Sequence, residues 1–375
     1  MAELLIHTDR VIGNIEKINA LMKKQGAQWT LISKVLSGHK ESLNRVLMHP
    51  AIDEVHSIGD SRLSSLKTIK TLRPDLRTMY IKPVPQNLVA AVVQSADISL
   101  VSSLRTLHMM NEAAGRIGVR HSVIVMIELG ELREGIMREN IVDFYSQAFD
   151  MEHIEVSGIG TNLGCMYGIE PIYDKMIQLS LYRQLLEVMF DRELPLISGG
   201  SSITLPMLGS RRLPATTNHF RIGEAVFLGT SPIDNKRFGN LSIDIFEYHA
   251  NILEIEEKQS APDGVISDAA VGHVADNGQT EADAETHCRA IVDFGLLDVD
   301  ASELTPRDKR VRFAGTTSDL TVYEIGDNLR DGEMLRYHVG DTLAFAPTYM
   351  GAARLMNSKF IDKIVKGKLH ERSVN

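Results

Sequence analysis

Between residues 30 and about 230 the chain repeats one theme, and this repetition restricts the folds open to it more than any other feature. A run of four to eight apolar, often β-branched residues is followed by a polar turn and then by a longer stretch with helical periodicity. The runs are Thr30 to Lys34, Glu54 to Ile58, Thr78 to Lys82, Ile98 to Ser102, Ser122 to Leu129, Val156 to Thr161, Pro195 to Ser198 and His219 to Ile222, eight in all. Between them, as from Tyr173 to Leu186, apolar residues recur at three- and four-residue spacing. Alternating strands and helices imply right-handed crossovers and parallel pairing. Eight units of this length fit an α/β fold closed as a (β/α)8 TIM barrel better than an open sheet. The barrel domain is expected over residues 1–235. A helix before its first strand would be capped by Asp9, buried along Ile12, Ile15, Ile18 and Met22, and ended by Gly26.

In such a barrel the active site gathers where strands end. There the chain carries Lys34, Gly59-Asp60, Lys82-Pro83, Ser102-Ser103, the Gly130 to Gly135 loop, Thr161 to Cys165, Ser198 to Ser202 and Arg221 to Glu224. Ordinary connecting loops are polar too, so these segments carry weight only jointly. Lys34 closes the first apolar run. A lysine at the mouth of a buried strand can be desolvated, which lowers its pKa and frees the amine to form a Schiff base, although a solvated strand-end lysine is the commoner case. Ser198-Gly199-Gly200-Ser201-Ser202 offers hydroxyls and open backbone N–H groups, and Gly223 allows close approach of an anion. Both read alternatively as tight turns. Their place on the seventh and eighth strands is the customary barrel position for a phosphate group.

Composition limits the partners. With 375 residues, 43% of them hydrophobic, the chain can bury a large domain and a smaller one, and a net charge of −9 without a basic cluster argues against nucleic acid. The first residues lack a basic flank and long apolar core, and no segment approaches a membrane span, so a soluble cytoplasmic protein is expected. Two cysteines, Cys165 and Cys288, are too few for a disulfide framework, and no Cys/His spacing suggests a metal.

From about Leu241 the pattern changes to short alternating strands: Ile243 to Phe246, Arg289 to Phe294, Val311 to Ala314, Leu320 to Ile325 and Asp341 to Phe345. An antiparallel β-domain is expected over 236–375. Residues 256–286, acidic and poor in large apolar side chains, are expected to form a mobile surface excursion.

The order of Ile32-Ser33-Lys34, Glu128 to Ile136, Gly158 to Asn162, Ile197 to Ser202 and Phe220 to Ala225 resembles the alanine racemase superfamily, and within it the ornithine racemase-like amino acid racemases. The resemblance covers nearly the whole chain except 256–286. It implies a fold-type III pyridoxal 5'-phosphate enzyme, an N-terminal barrel, a C-terminal β-domain, and a head-to-tail homodimer whose active sites are completed by the partner's β-domain. Carried over by resemblance, Lys34 bears the cofactor and serves as base on one face, and Arg221 contacts the pyridine nitrogen. Ser201, Ser202, Gly223 and the backbone amide of Glu224 take the phosphate, and Arg133 lies near the phenolate oxygen and the substrate carboxylate. Asn162 falls where alanine racemases stack a histidine on the ring.

Racemisation needs a second acid on the opposite face. Gly315 to Leu320 and Phe345 to Gly351 resemble the branch's active-site strands. The branch usually has a histidine where this chain has Leu320, which leaves Tyr349 as the favoured acid and Asp319 next, with a tyrosine packed in the domain core as the alternative. The branch suggests ornithine or another basic amino acid, and Asp60, Glu131, Glu134 and Asp319 are the acids available to a side-chain ammonium. Two other readings stay open. One is a D-amino acid lyase, aldolase or dehydratase, on the same fold, against which Pro347 to Gly351 offers no His or Cys for a metal. The other is a non-catalytic pyridoxal-phosphate homeostasis protein, against which the β-domain argues.

Overall fold

The computed structural model describes residues 2–208, 212–259, 262–267, 269, 271–275, 286–330 and 334–369. The chain begins with β1 (Glu3–His7) and helix α1 (Thr8–Gln25). Eight strands then close a barrel: β2 (Gln28–Ile32), β3 (Ser57–Asp60), β4 (Thr78–Tyr80), β5 (Ile98–Val101), β6 (His121–Met126), β7 (Ile154–Gly160), β8 (Leu196–Ser198) and β9 (His219–Ile222). Each is parallel to the next, and β9 returns to β2 with Thr30 opposite Arg221. Helices α2 (Lys40–Leu47), α3 (Leu63–Leu72), α4 (Val89–Ser95), α5 (Leu104–Arg116), α6 (Ile141–Phe149) and α7 (Tyr173–Phe190) make the crossovers, and α8 (Glu224–Leu228) follows the last strand. The expected α/β barrel is the observed one.

Strands covered on both faces read as unbroken apolar runs, as at the fully buried Val123-Ile124-Val125 of β6. Inside the barrel, Met79, Ile98, Leu100, Ile124, Met126 and Leu196 pack together. The sector formed by β2, β3, β8 and β9 is polar instead, with Thr30, Ser57, Ser198 and His219 all buried. Gly158 is obligatory where β7 meets β8, because a Cβ there would lie 2.3 Å from the carbonyl oxygen of Leu196.

α1 buries the expected Ile12, Ile15, Ile18 and Met22 and stops at Gly26, whose φ of +63° suits glycine. Asp9 departs from expectation: it sits inside the first turn, where a negative charge favours the helix dipole, and does not precede the helix as a cap. Because α8 is only five residues long, α1 covers that side of the barrel. Its buried Asn14 side chain donates to the carbonyls of Val226 and Ser242, both at 2.9 Å, and accepts from Ser242 N at 2.7 Å.

The second unit is a mostly antiparallel sheet. It comprises β10 (Phe246–Gln259), β11 (His273–Val274), β12 (Thr286–Val292), β13 (Leu304–Pro306), β14 (Arg312–Thr316) and β15 (Thr321–Glu324), the small pair β16 (Leu329–Arg330) and β17 (Met334–Leu335), then β18 (Thr342–Pro347), helix α9 (Tyr349–Asn357) and β19 (Asp362–Lys366). Its core is aromatic: Tyr248, Phe294, Tyr323 and Phe345 lie with ring centroids 5.1–6.4 Å apart, edge-on or tilted.

The boundaries differ from 1–235 and 236–375. Residues up to His7 belong with Asp244–Lys366, and Thr8–Ile243 form the barrel unit. β1 was not expected at all; it pairs antiparallel with β10 and parallel with β19. The expected excursion over 256–286 is also cut back. Residues 256–259 continue β10 in register with β12, and His273–Val274 pair with β14, while 260–261, 268, 270 and 276–285 lie outside the described residues. Among the described residues no helix is long and apolar enough to cross a membrane.

Asn14→Ala strands three backbone groups and is expected to destabilise the barrel unit by about 1–3 kcal/mol. The urea midpoint of a barrel-located probe measures this; an unmoved midpoint would show that Asn14 is dispensable.

Candidate active site

Lys34 does not end β2, which stops at Ile32; it opens a single 3-10 turn, Lys34–Leu36. Its side chain is exposed at the rim, so the chain's own packing does not supply the expected desolvation. Just below it, the Ser33 hydroxyl donates to Asp60 Oδ2 at 3.1 Å, and Arg62 N donates to Asp60 Oδ1 at 2.9 Å. Burial raises the Asp60 pKa against the pull of these bonds.

Arg221 lies on β9, beside the strand that leads to Lys34, and is almost fully buried. One terminal nitrogen donates to the Thr161 carbonyl at 2.7 Å and the other to the Ser198 hydroxyl and, at 3.4 Å, the Ser198 carbonyl, which leaves Nε–H and one terminal N–H as the remaining donors. Burial lowers its pKa to about 10, with Glu134 and Cys165 pulling upward and Arg133 pushing downward. At neutral pH the group stays cationic. Arg133, exposed, is ion-paired with the half-buried Glu134 through Nε and a terminal nitrogen. Arg133, Glu134, Cys165 and Arg221 therefore share one electrostatic neighbourhood.

Asn162 follows β7, and its Nδ2 is buried with no hydrogen-bond partner. Ser202 is buried and its hydroxyl accepts from Ala225 N at 3.1 Å, joining the loop after β8 to the first turn of α8; Ser201 beside it is half-buried. Gly223 has a further reason to be glycine, since a Cβ would press on the Ile32 backbone at 3.0 Å. The Glu224 side chain was overlooked in favour of its amide. Burial raises its pKa, and the charge of Lys34 pulls it down, which places the carboxyl in the field of the lysine.

Of the acids offered for a side-chain ammonium, Glu131 is removed. It is buried and accepts backbone N–H groups from Gly164, Cys165, Met166, Tyr167 and Ile169. It pins the loop after β7 to the loop after β6. Glu134 is paired with Arg133, and Asp60 is fully buried.

In the β-unit, Tyr349 is not a strand tyrosine packed in the core. It opens α9, half-buried, directly after Thr348, whose hydroxyl caps the helix by accepting from Gly351 N at 3.1 Å. Asp319 is exposed in the turn after β14 and accepts from the Ser318 hydroxyl at 2.7 Å. Sequence reasoning offered the Ser198 hydroxyl to a phosphate and missed His219, whereas both support Arg221. The signal for His219 was present, because His219 stands two residues before Arg221 on one strand and so shares its inward face.

An eight-stranded barrel bearing these strand-end groups, with a mostly antiparallel sheet as second unit, defines the alanine racemase fold. Alanine racemase from Corynebacterium glutamicum matches it with a TM-score of 0.69 at 15% identity, over 97% of this chain and 99% of that one. D-threonine aldolase from Filomicrobium marinum matches with a TM-score of 0.68 at 13% identity, over 99% and 93%. In sequence, an ornithine racemase of Acetoanaerobium sticklandii is 30% identical over 362 residues, 96% of this chain and 98% of its own length. A lysine racemase of Thermotoga maritima is 28% identical over 364 residues, 96% and 97%. The family model described as alanine racemase, N-terminal domain, matches residues 6–231, and the chain belongs to the alanine racemase family.

Burial alone raises the Glu131 pKa, but the N–H groups of Met166, Gly164, Tyr167 and Cys165 outweigh it and hold the carboxyl below its usual range. A depressed folded pKa gives stability that is present above the ordinary carboxylate value and lost as pH falls through the folded one. Protection of the Gly164, Cys165, Met166, Tyr167 and Ile169 amides, measured against their intrinsic exchange rate at each pH, is thus expected to fall in acid, and Glu131→Gln to show the loss already at neutral pH. Equal protection in both proteins would refute the tether.

Proposed function

We propose that the protein is a pyridoxal-phosphate-dependent amino acid racemase acting on a basic amino acid. The observation that carries the reading is Arg221: a buried guanidinium held at two nitrogens by Thr161 and Ser198, on the strand next to the one that delivers Lys34. The family membership and the two basic amino acid racemases at 30% and 28% identity support the substrate class.

The residues present fit the cofactor. Asn162 Nδ2 is buried without a partner on the rim, and the Ser201-Ser202 loop is tied to the start of α8. Lys34 would hold the cofactor covalently, Ser201, Ser202, Gly223 and the Glu224 amide its phosphate, Arg221 its ring nitrogen, and Arg133 and Asn162 the same ring's surroundings. When bound, pyridoxal phosphate supplies a sink for the electron pair left on Cα. Arg221, being cationic, would oppose protonation of a ring nitrogen placed against it, and so would favour return of the proton to Cα over stronger withdrawal of charge. Lys34 Nζ takes and returns the proton on one face, and its charge reaches the Glu224 carboxyl beside it. Tyr349 Oη is the proposed acid on the other, with Asp319 second. The family's head-to-tail homodimer would bring Tyr349 from the partner's β-unit.

The D-amino acid lyase reading shares this fold, as the aldolase likeness illustrates, so product analysis decides between them. Purified protein with pyridoxal phosphate and a panel of L-amino acids is expected to form the D-enantiomer of ornithine or lysine, followed by chiral chromatography. Formation of an aldehyde or keto acid instead, or no change with any amino acid, would overturn the reading.

Lys34→Ala is expected to lose the cofactor's absorption band and all turnover, and Tyr349→Phe to keep the band while losing at least about 99% of turnover, the lower end of a general acid's usual contribution. Mixing the two inactive variants is expected to restore partial activity through heterodimers with one intact site. Full activity in Tyr349→Phe would remove that residue from the mechanism, and an inactive mixture would argue against shared sites.

A further inference from the structure

The polar sector of the barrel contains one continuous chain of hydrogen bonds that ends on Arg221. The guanidinium donates to the Ser198 hydroxyl oxygen, and Ser198 Oγ lies 2.9 Å from His219 Nδ1. His219 Nε2 lies 3.0 Å from Thr30 Oγ1, which lies 2.7 Å from Ser57 Oγ, and Ser57 Oγ is 3.2 Å from His56 Nδ1. Arg221, Ser198, His219, Thr30 and Ser57 are all buried, so a hydroxyl proton left without an acceptor here carries the full cost of desolvation.

Counting protons gives the chain a direction. Arg221 can only donate, so Ser198 Oγ accepts from it and has its own proton to place. The acceptor within reach is His219 Nδ1. The ring's proton is then on Nε2 and is donated to Thr30, whose own proton has two acceptors in reach, Ser57 Oγ, which continues to His56 Nδ1, and Met79 Sδ at 3.9 Å. With the other tautomer, Nδ1–H would point at Ser198, and the Ser198 proton would have no acceptor among the described residues.

We propose that His219, held as the Nε2–H tautomer, is a positioning residue for Arg221: its Nδ1 takes the Ser198 proton and thereby turns the Ser198 lone pair to the guanidinium. With the second terminal nitrogen fixed on Thr161 and the Ser198 carbonyl a longer, 3.4 Å contact, anchors at the ends of β7 and β8 set the guanidinium plane and leave Nε–H and one terminal N–H uncommitted. Burial, reinforced by the neighbouring His56 and Arg221, holds the His219 pKa well below its ordinary value, so the ring stays neutral and Nδ1 remains an acceptor. The consequence for catalysis rests on the proposed racemisation; the tautomer and the anchoring do not.

The test uses the full-length protein with nitrogen-15 in histidine and arginine. In the wild type, His219 Nδ1 is expected to resonate as an unprotonated ring nitrogen and Nε2 as a protonated one; the reverse pattern overturns the proposal without any variant. In Ser198→Ala and His219→Leu, exchange of the Arg221 Nε proton with water is expected to be faster by about tenfold or more, the equivalent of losing roughly 1.4 kcal/mol of protection. His219→Asn, which offers an amide oxygen near the place of Nδ1, is expected to return it to within about threefold of wild type, and Asn behaving no better than Leu would reduce His219 to a packing residue. None of these readings needs turnover, so a protein that racemises nothing would sink the proposed function and leave this inference standing. Where turnover is found, Ser198→Ala is expected to lower kcat about tenfold to a hundredfold with KM little changed, and a loss confined to KM would contradict positioning.

Discussion

A guanidinium taken out of water must find acceptors, and the end of the barrel around β7, β8 and β9 is arranged to provide them for Arg221. Its partners are the carbonyl just past β7 and the hydroxyl and carbonyl of the residue that ends β8, so a single charge spans three neighbouring strands. A hydrogen bond to a charged group is typically worth about 1.5–3 kcal/mol, which makes the arrangement a structural commitment as well as a chemical one. The glycines nearby follow from it. A Cβ at Gly158 would strike Leu196, and one at Gly199 would lie 2.1 Å from Thr217, so the strands can approach closely enough to share the cation only because those positions are bare.

The barrel was legible because its signal is local. Each strand is an apolar run bounded by turns, and each crossover has its own 3.6-residue period. Boundaries shifted by a few residues where polar residues end or begin a ladder, as at Ile32, after which the chain turns and lifts Lys34 out of the strand. β1 was illegible for the opposite reason. Glu3 to His7 alternate correctly, with Leu4 and Ile6 buried, but their partners lie more than 230 residues away on β10 and β19, and nothing nearby marks a turn toward them.

The site was legible in part. Lys34, Arg133, Asn162, Ser201, Ser202, Arg221, Gly223 and Glu224 stand on or just past strand ends, as a barrel requires. Polar residues within apolar runs were another matter. Thr30, Ser57 and His219 look like interruptions of a strand until the closed barrel brings them face to face, because a hydrogen-bond partner on another strand leaves no trace in the local pattern. Glu131 misled for a related reason: an acid on a rim loop reads as solvated, and only the fold shows five amides converging on it.

The placement of β1 has a consequence for biosynthesis. The chain leaves its β-sheet at His7 and re-enters it at Phe246, so the whole barrel is inserted between two strands that pair with each other. On the ribosome, at about 5–20 residues per second, the first strand waits roughly ten to fifty seconds for its neighbour β10 to be synthesised, and longer for β19. During that interval a strand with two side chains destined for the core, Leu4 and Ile6, has an unfilled edge on either side. The nascent barrel must therefore fold while carrying an unpaired strand at its amino end, and this interval is when a chaperone would have most to shield.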